Sequence, residues 1–275
     1  MHITFIGGGN MASALIGGLS RNGWHAERMR VADIDAAARD RVAREFGIAV
    51  YDKASAAVAN ADCIVLAVKP QHLQAAAREL AAHVSGKLVL SIAAGIRARD
   101  IRRWLGGHSR IVRAMPNTPA LVLSGITGLY ADEDVGAADR QTAEEVLRVA
   151  GATLWVDTEA DIDAITAVSG SGPAYVFYFL EALESAARKL GFDDKAARQL
   201  ALETFSGAVR LAGESTVDFA TLRARVTSKG GTTERALGMF EQAQVRAAIE
   251  RAVQGAAERS REMADELGAD EPGSN

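Results

Sequence analysis

Two hydrophobic periods divide the chain. Up to about residue 160, short apolar runs alternate with stretches whose apolar positions recur every three to four residues, so strand and helix are predicted in alternation. Runs at 3–6, 28–32, 63–68, 87–92 and 111–114 read as strands, with a short element at 48–50. Stretches at 36–46, 55–60, 73–82 and 100–105 read as helices. The unbroken apolar run at 63–68 is what a parallel strand covered on both faces shows, and the alternation predicts a doubly wound parallel sheet with right-handed crossovers. Runs at 126–130 and 153–156, around a helix at 138–149, read as edge strands that close this part.

From Asp161 onward the alternation stops and helical period takes over. Ser169-Gly170-Ser171-Gly172-Pro173 reads as a turn into a helix carrying Val176, Phe177, Leu180, Leu183, Ala187 and Leu190 on one face, with Glu184 and Arg188 paired on the wet side. Further helices are predicted at 195–211, 219–224 and 245–267, and the tail 270–275 reads as disordered. The Ala-lined stripes allow either a bundle within one chain or close packing against a second subunit. The expected domains are therefore 1–160 and 161–275.

Composition narrows the partners. With 275 residues, 48% of them apolar, the chain can bury a core in each half, and a formal charge of -4 offers nucleic acid no basic field. No apolar run is long enough to cross a membrane, and the N-terminal stretch lacks the basic flank of an export signal. The single Cys63 sits inside an apolar run, which predicts a buried thiol in a reducing, cytoplasmic compartment. A small-molecule partner is the expectation.

Candidate chemistry begins at the first strand. Gly7-Gly8-Gly9-Asn10-Met11-Ala12 follows Ile6 directly and opens a helix, a G-x-G-x-x-A spacing. Its glycines permit a tight turn and let a pyrophosphate approach the backbone, while the small third residue packs helix on strand. This gives a Rossmann-type N-terminal domain binding a nicotinamide dinucleotide. Asp33 ends the second strand, where an acid can hold a ribose 2′-hydroxyl and favour NAD, or can instead cap the following helix. Arg30, Arg39 and Arg41 are close enough in sequence to offset its charge. Lys69-Pro70 ends the strand at 63–68, where Lys69 reaches ribose or phosphate or only water. Ala93-Ala94-Gly95 is a close-packed turn. Asn117, between Pro116 and Pro119, either recognises the nicotinamide ring or belongs to an ordinary X-Pro turn.

The second concentration of chemistry is 226–237, Val-Thr-Ser-Lys-Gly-Gly-Thr-Thr-Glu-Arg-Ala-Leu. A Gly-rich turn before a helix start exposes backbone N–H groups that favour a carboxylate or phosphate, although a capped helix after a polar turn reads the same way. The five histidines are scattered and no cluster has metal-ligand or nucleophile spacing, so no metal is expected.

Taken together, Gly7-Gly8-Gly9-Asn10-Met11-Ala12, Ala67-Val68-Lys69-Pro70, Met115-Pro116-Asn117-Thr118-Pro119, Val168 through Tyr175 and Val226 through Thr233 resemble the pyrroline-5-carboxylate reductase family over nearly the whole chain. The resemblance implies reduction of 1-pyrroline-5-carboxylate to L-proline by NADPH or NADH. It implies an all-α C-terminal domain that pairs two subunits, with dimers often assembling into rings. It assigns Ser228, Gly231, Thr232 and Thr233 to the substrate, and Ile6 to Met11, Ala67 to Pro70 and Ile92, Ala93 and Ala94 to the cofactor. Two positions depart from the family's habit: Lys229 stands where Pro is common, and Ala54 where Asn is common. On this reading Thr233 is the catalytic candidate, its hydroxyl hydrogen-bonded to the imine nitrogen, with water or a pre-protonated imine as alternative proton sources. A hydroxyacid dehydrogenase on the same plan and a non-catalytic nucleotide sensor are the rivals. The first would need a side chain to exchange a proton with an alcohol, and the helical half offers no histidine and only Lys189, Lys195 and Lys229 as its lysines.

Overall fold

The computed structural model of the protein describes residues 1–269, so the disorder expected at 270–275 lies outside the described residues. Packing divides the chain into two units: Met1–Ser171 together with the chain from Ala256 onward, and Gly172–Gly255.

The first unit is built on one eight-stranded sheet. Its strands are β1 (Ile3–Ile6), β2 (Met29–Ala32), β3 (Ala49–Tyr51), β4 (Cys63–Leu66), β5 (Leu88–Ser91), β6 (Ile111–Met115), β7 (Gly125–Ala131) and β8 (Gly151–Trp155), in the order β3-β2-β1-β4-β5-β6-β7-β8. The first six are parallel. Strand order reverses between β1 and β4, and such a reversal leaves a crevice outside the carboxyl ends of the two strands.

Helices α1 (Asn10–Arg21), α2 (Ala36–Phe46) and α6 (Ala137–Arg148) cover one face, where Phe5, Leu15, Leu19, Val42 and Leu147 share a core. Helices α3 (Ala54–Ala57), α4 (Pro70–Leu80) and α5 (Ala98–Trp104) cover the other, around Leu66, Leu73, Leu80, Ile101 and Trp104. Both faces being apolar explains the unbroken hydrophobic run of β4, whose four residues are all buried.

Two expectations are corrected. β7 is not an edge strand: it lies between β6 and β8 and runs antiparallel to β6, with Met115 opposite Gly128. No crossover helix separates β6 from β7, only a 3-10 turn at Thr118–Val122, and without a crossover the chain returns antiparallel. The segment before α8 (Gly172–Lys189) is not a simple turn either: helix α7 (Ala160–Ile165) continues into a π-helical turn at Thr166–Gly170.

The second unit holds α8, α9 (Asp194–Gly213), α10 (Phe219–Arg225), α11 (Thr232–Gln242) and the first part of α12 (Val245–Gly268). Asp193 and Asp218 cap α9 and α10, accepting the N–H of Ala196 and of Thr221 at 2.8 Å each. Among the described residues of this unit only Ala187, Ala197 and Ala201 are fully buried. Phe177, Tyr178, Val209 and Phe219 are more than 60% exposed.

Candidate active site

At the carboxyl end of β1 the chain turns through Gly7, which has φ +102° and lies so near β4 that an added Cβ would be 2.7 Å from the Ala67 carbonyl oxygen. No L side chain fits there without moving the strand. Gly8 is buried, with room for a Cβ limited to 3.2 Å by Val31. Gly9 is exposed, with nothing within 4 Å of a Cβ position, and it is the N-cap of α1. Ser13 is the first residue whose N–H meets an intrahelical carbonyl, that of Gly9 at 2.9 Å. The N–H groups of Asn10, Met11 and Ala12 are thus left for an anion at the positive end of the helix dipole.

These residues open onto a cleft of roughly 570 Å³ that lies wholly in the sheet unit. Ile6, Gly7, Gly9, Asn10, Asp33, Ala67, Val68 and Lys69 line it; Pro70 opens α4 beside it. The fit to a dinucleotide rests on the two glycine positions: a backbone cradle that a Cβ would fill, next to free N–H groups.

Asp33 serves the loop rather than capping α2. Its Oδ2 accepts the Gly8 N–H at 2.7 Å and its Oδ1 the Asp35 N–H at 2.9 Å. Asp35 is the actual N-cap, accepting from Ala37 N–H at 3.0 Å. Of the three nearby arginines, Arg41 donates to the Gly8 carbonyl at 2.6 Å and Arg39 to the Asp33 carbonyl at 2.8 Å, whereas Arg30 is directed to Ala57 instead. Asp35, Asp52 and Glu79 also line the cleft, so with Asp33 its wall carries four carboxylates against Arg41 and Lys69. This acidic wall was not legible from the motif, because β2, β3 and α4 bring it together.

Ile92, Ala93 and Ala94 follow β5 and do not line this cleft; they close against Gly95, which has φ +68°. Asn117 is 9% exposed, donates through Nδ2 to the Ser169 carbonyl at 3.1 Å, and accepts the Ile126 N–H at 2.9 Å. It ties the loop after β6 to both β7 and the π turn. Cys63 is fully buried, and burial pushes its thiol pKa upward, with Asp139 and Asp62 adding to the effect. A protonated buried thiol is inert.

The second cluster lies in the helical unit. Gly230, at φ +74°, turns the chain, Gly231 donates its N–H to the Ser228 carbonyl at 3.0 Å and becomes the N-cap of α11. Ser228 Oγ sits over Gly231, 2.5 Å from where a Cβ would lie, so a side chain at 231 would displace the hydroxyl. Glu234 reaches back to accept the Gly230 N–H at 2.7 Å. Arg235 is the first residue to close onto Gly231, at 3.2 Å, leaving the N–H groups of Thr232, Thr233 and Glu234 without intrahelical partners. Thr233 is half-buried and Lys229 exposed. Ser228, Gly231, Thr232 and Thr233 are therefore gathered at one helix start with the donor geometry for a carboxylate.

Among the described residues, no group of three His, Cys, Asp or Glu could hold a metal ion, and no helix is long and apolar enough to cross a membrane. Residues 159–263 match the family model for pyrroline-5-carboxylate reductase dimerisation, and residues 2–95 that for coenzyme F420-dependent NADP oxidoreductases. The chain is 46% identical over 267 residues to pyrroline-5-carboxylate reductase of Pseudomonas aeruginosa, covering 97% of this chain and 98% of that protein. It is 42% identical to the enzyme of Pasteurella multocida, over 95% of this chain and 97% of that one. Its structure is similar to that of a pyrroline-5-carboxylate reductase from Coxiella burnetii, with a TM-score of 0.90 at 41% identity, covering 96% and 98% of the two chains. It is also similar to the Plasmodium falciparum enzyme with NADP bound, with a TM-score of 0.87 at 28% identity and the same coverage.

Proposed function

The chain belongs to the pyrroline-5-carboxylate reductase family, and on that premise we propose how its two parts divide the reaction. The enzyme reduces the cyclic imine 1-pyrroline-5-carboxylate to L-proline with NAD(P)H, in proline biosynthesis. We take 1–160 as the cofactor domain and 161–275 as the substrate-binding and dimerisation domain. The observation that carries the cofactor half is the Gly7 cradle against Ala67 beside the free N–H groups of α1.

When bound, the dinucleotide supplies a hydride to the imine carbon. The chain's own part is to bind and orient. The N–H groups of Asn10 to Ala12 hold the pyrophosphate, with Lys69 and Pro70 beside it. Ile92, Ala93, Ala94 and Asn117 border the nicotinamide end. Asp33 faces the adenosine ribose, and the acidic wall around it supports NADH over NADPH, because a 2′-phosphate would add charge of the same sign.

The substrate carboxylate is received by the N–H groups of Thr232 and Thr233 and by the Ser228 hydroxyl, over a Gly231 that leaves room for it. Thr233 Oγ1 hydrogen-bonds the imine nitrogen, favouring the protonated imine, the better hydride acceptor. Lys229 adds positive charge near the same turn. The exposed apolar faces of the helical unit support a homodimer formed through that unit, and rings of such dimers. A free, buried cysteine supports a reducing cytoplasmic setting.

The test is to follow NADH and NADPH oxidation with 1-pyrroline-5-carboxylate and compare specificity constants. The expected outcome is turnover with both cofactors and a higher constant for NADH. No oxidation with either rejects the reaction; a preference for NADPH rejects the role given to Asp33.

A further inference from the structure

The most deeply buried charges of the sheet unit lie outside the cleft. Arg113, in the middle of β6 and 1% exposed, pairs with Glu159 at 3.1 Å and lies 3.9 Å from Asp163 Oδ1. A guanidinium in such a place is tolerated only when well-placed partners offset its lost hydration. Both acids are used twice. Glu159 Oε1 also accepts the Ala98 N–H at 2.6 Å, capping α5, whose own N-cap residue Arg97 makes no side-chain cap. Asp163 Oδ1 also accepts from Ser260 Oγ at 2.7 Å, and Ser260 lies on α12, 97 residues further along the chain.

The same end of α12 is fastened at further points. Arg97 pairs with Asp265 at 2.5 Å, and Arg103 donates to the Gly268 carbonyl at 2.6 Å. Gly268 itself abuts Asp100, whose Oδ2 would be 2.5 Å from an added Cβ. Met263 and Leu267 lie against Gly95: a Cβ there would be 3.2 Å from Met263 Cβ, 3.5 Å from Met263 Cε, which an alanine would remove, and 3.5 Å from Leu267 Cδ1. Gly95 closes the turn that begins at Ile92. A turn made of Ile92, two alanines and a positive-φ glycine has little side chain of its own to hold it, so its geometry is set by what packs on it.

We propose that Ser260 and Met263 are positioning residues for the cofactor: docked on Asp163 and on Gly95, they hold the Ile92–Gly95 turn and the first turn of α5 in the shape that grips the dinucleotide. The proposal rests on the reading that Ile92, Ala93 and Ala94 border the cofactor. A turn released from α12 must be ordered at each binding event, and that ordering is subtracted from affinity.

The test uses the full chain. Met263→Ala and Ser260→Ala, with Met263→Leu and Ser260→Thr as conservative counterparts, are compared for NADH and NADPH Kd by fluorescence, KM for the imine, and Tm. Ala94→Glu probes the turn itself. Expected is a rise in cofactor Kd of about five- to twentyfold for both alanine variants, the scale of one lost contact. The KM for the imine should stay within about twofold, and the conservative variants should recover affinity. A fall in Tm with unchanged cofactor Kd, or an equal rise in the KM for the imine, overturns the proposal. If Ala94→Glu weakens the cofactor while the α12 variants do not, only the proposal falls. If Ala94→Glu has no effect, the turn is not part of the cofactor site and both fall. Met263→Ala removes no buried polar partner, so it carries the test should Ser260→Ala fail to fold.

Discussion

The sheet unit and the helical unit are of opposite construction. The sheet unit buries large side chains on both faces, from Phe5 and Leu15 on one to Leu66 and Leu80 on the other. The helical unit's fully buried residues are three alanines, while Phe177, Tyr178, Val209 and Phe219 face outward. An interior of alanine contributes little, since burying a large apolar side chain is worth about 1.5–3 kcal/mol and these are left exposed. One part of the chain buries its large apolar side chains within itself; the other leaves them exposed, and the family model matched over 159–263 is a dimerisation model. On the proposed division of the reaction, the cofactor is cradled by a scaffold with its own large core, and the substrate turn by a unit whose apolar faces are exposed.

The harshest way to break the contrast is a charge in the helical groove. Val209 lines it with Phe205, Ala212 and Phe219, and Val209→Glu should abolish the dimer by light scattering and the activity with it. Leu154→Glu, at a similarly exposed position on β8, should leave both intact. Equal effects would erase the distinction between the units.

Leu15→Ala should cost about 2–5 kcal/mol in denaturant unfolding, whatever the protein concentration. Leu183→Ala in the helical unit should instead lower stability by an amount that shrinks as concentration rises. Thr233→Ala should lower kcat/KM for the imine by roughly ten- to a hundredfold with cofactor Kd unchanged; unchanged kinetics would remove Thr233 from the reaction. The smallest effect is expected from Asp33→Asn, which keeps an acceptor for Gly8 and removes the charge. It should raise the NADPH-to-NADH ratio of specificity constants by about tenfold, and an unmoved ratio would assign selectivity to Arg39 or Arg41.

What the chain announced in advance was local. Gly7 through Ala12 and Gly230 through Thr233 are turns into helices, and their chemistry lies within a few neighbouring residues. Strand direction is different: 126–130 has the same apolar pattern whichever way it runs, and only the lack of a crossover helix after β6 reverses it. Asp33 and Asp35 could exchange the roles of cap and loop partner on spacing alone, until Gly8 was seen to donate to Asp33. Arg113 was not singled out within the strand run Ile111-Val112-Arg113-Ala114, because its companions come from the start of α7 and, through Asp163, from α12, too distant for any motif to unite them.

Those distant companions set the order of events during synthesis. Arg97 meets Asp265 across 168 residues and Arg103 meets Gly268 across 165, so the sheet unit lacks these fastenings until α12 has left the ribosome. Its strands can pair early, but the turn at Gly95 and the start of α5 wait for the final helix. The sheet unit therefore completes these fastenings only after the helical unit between has been made.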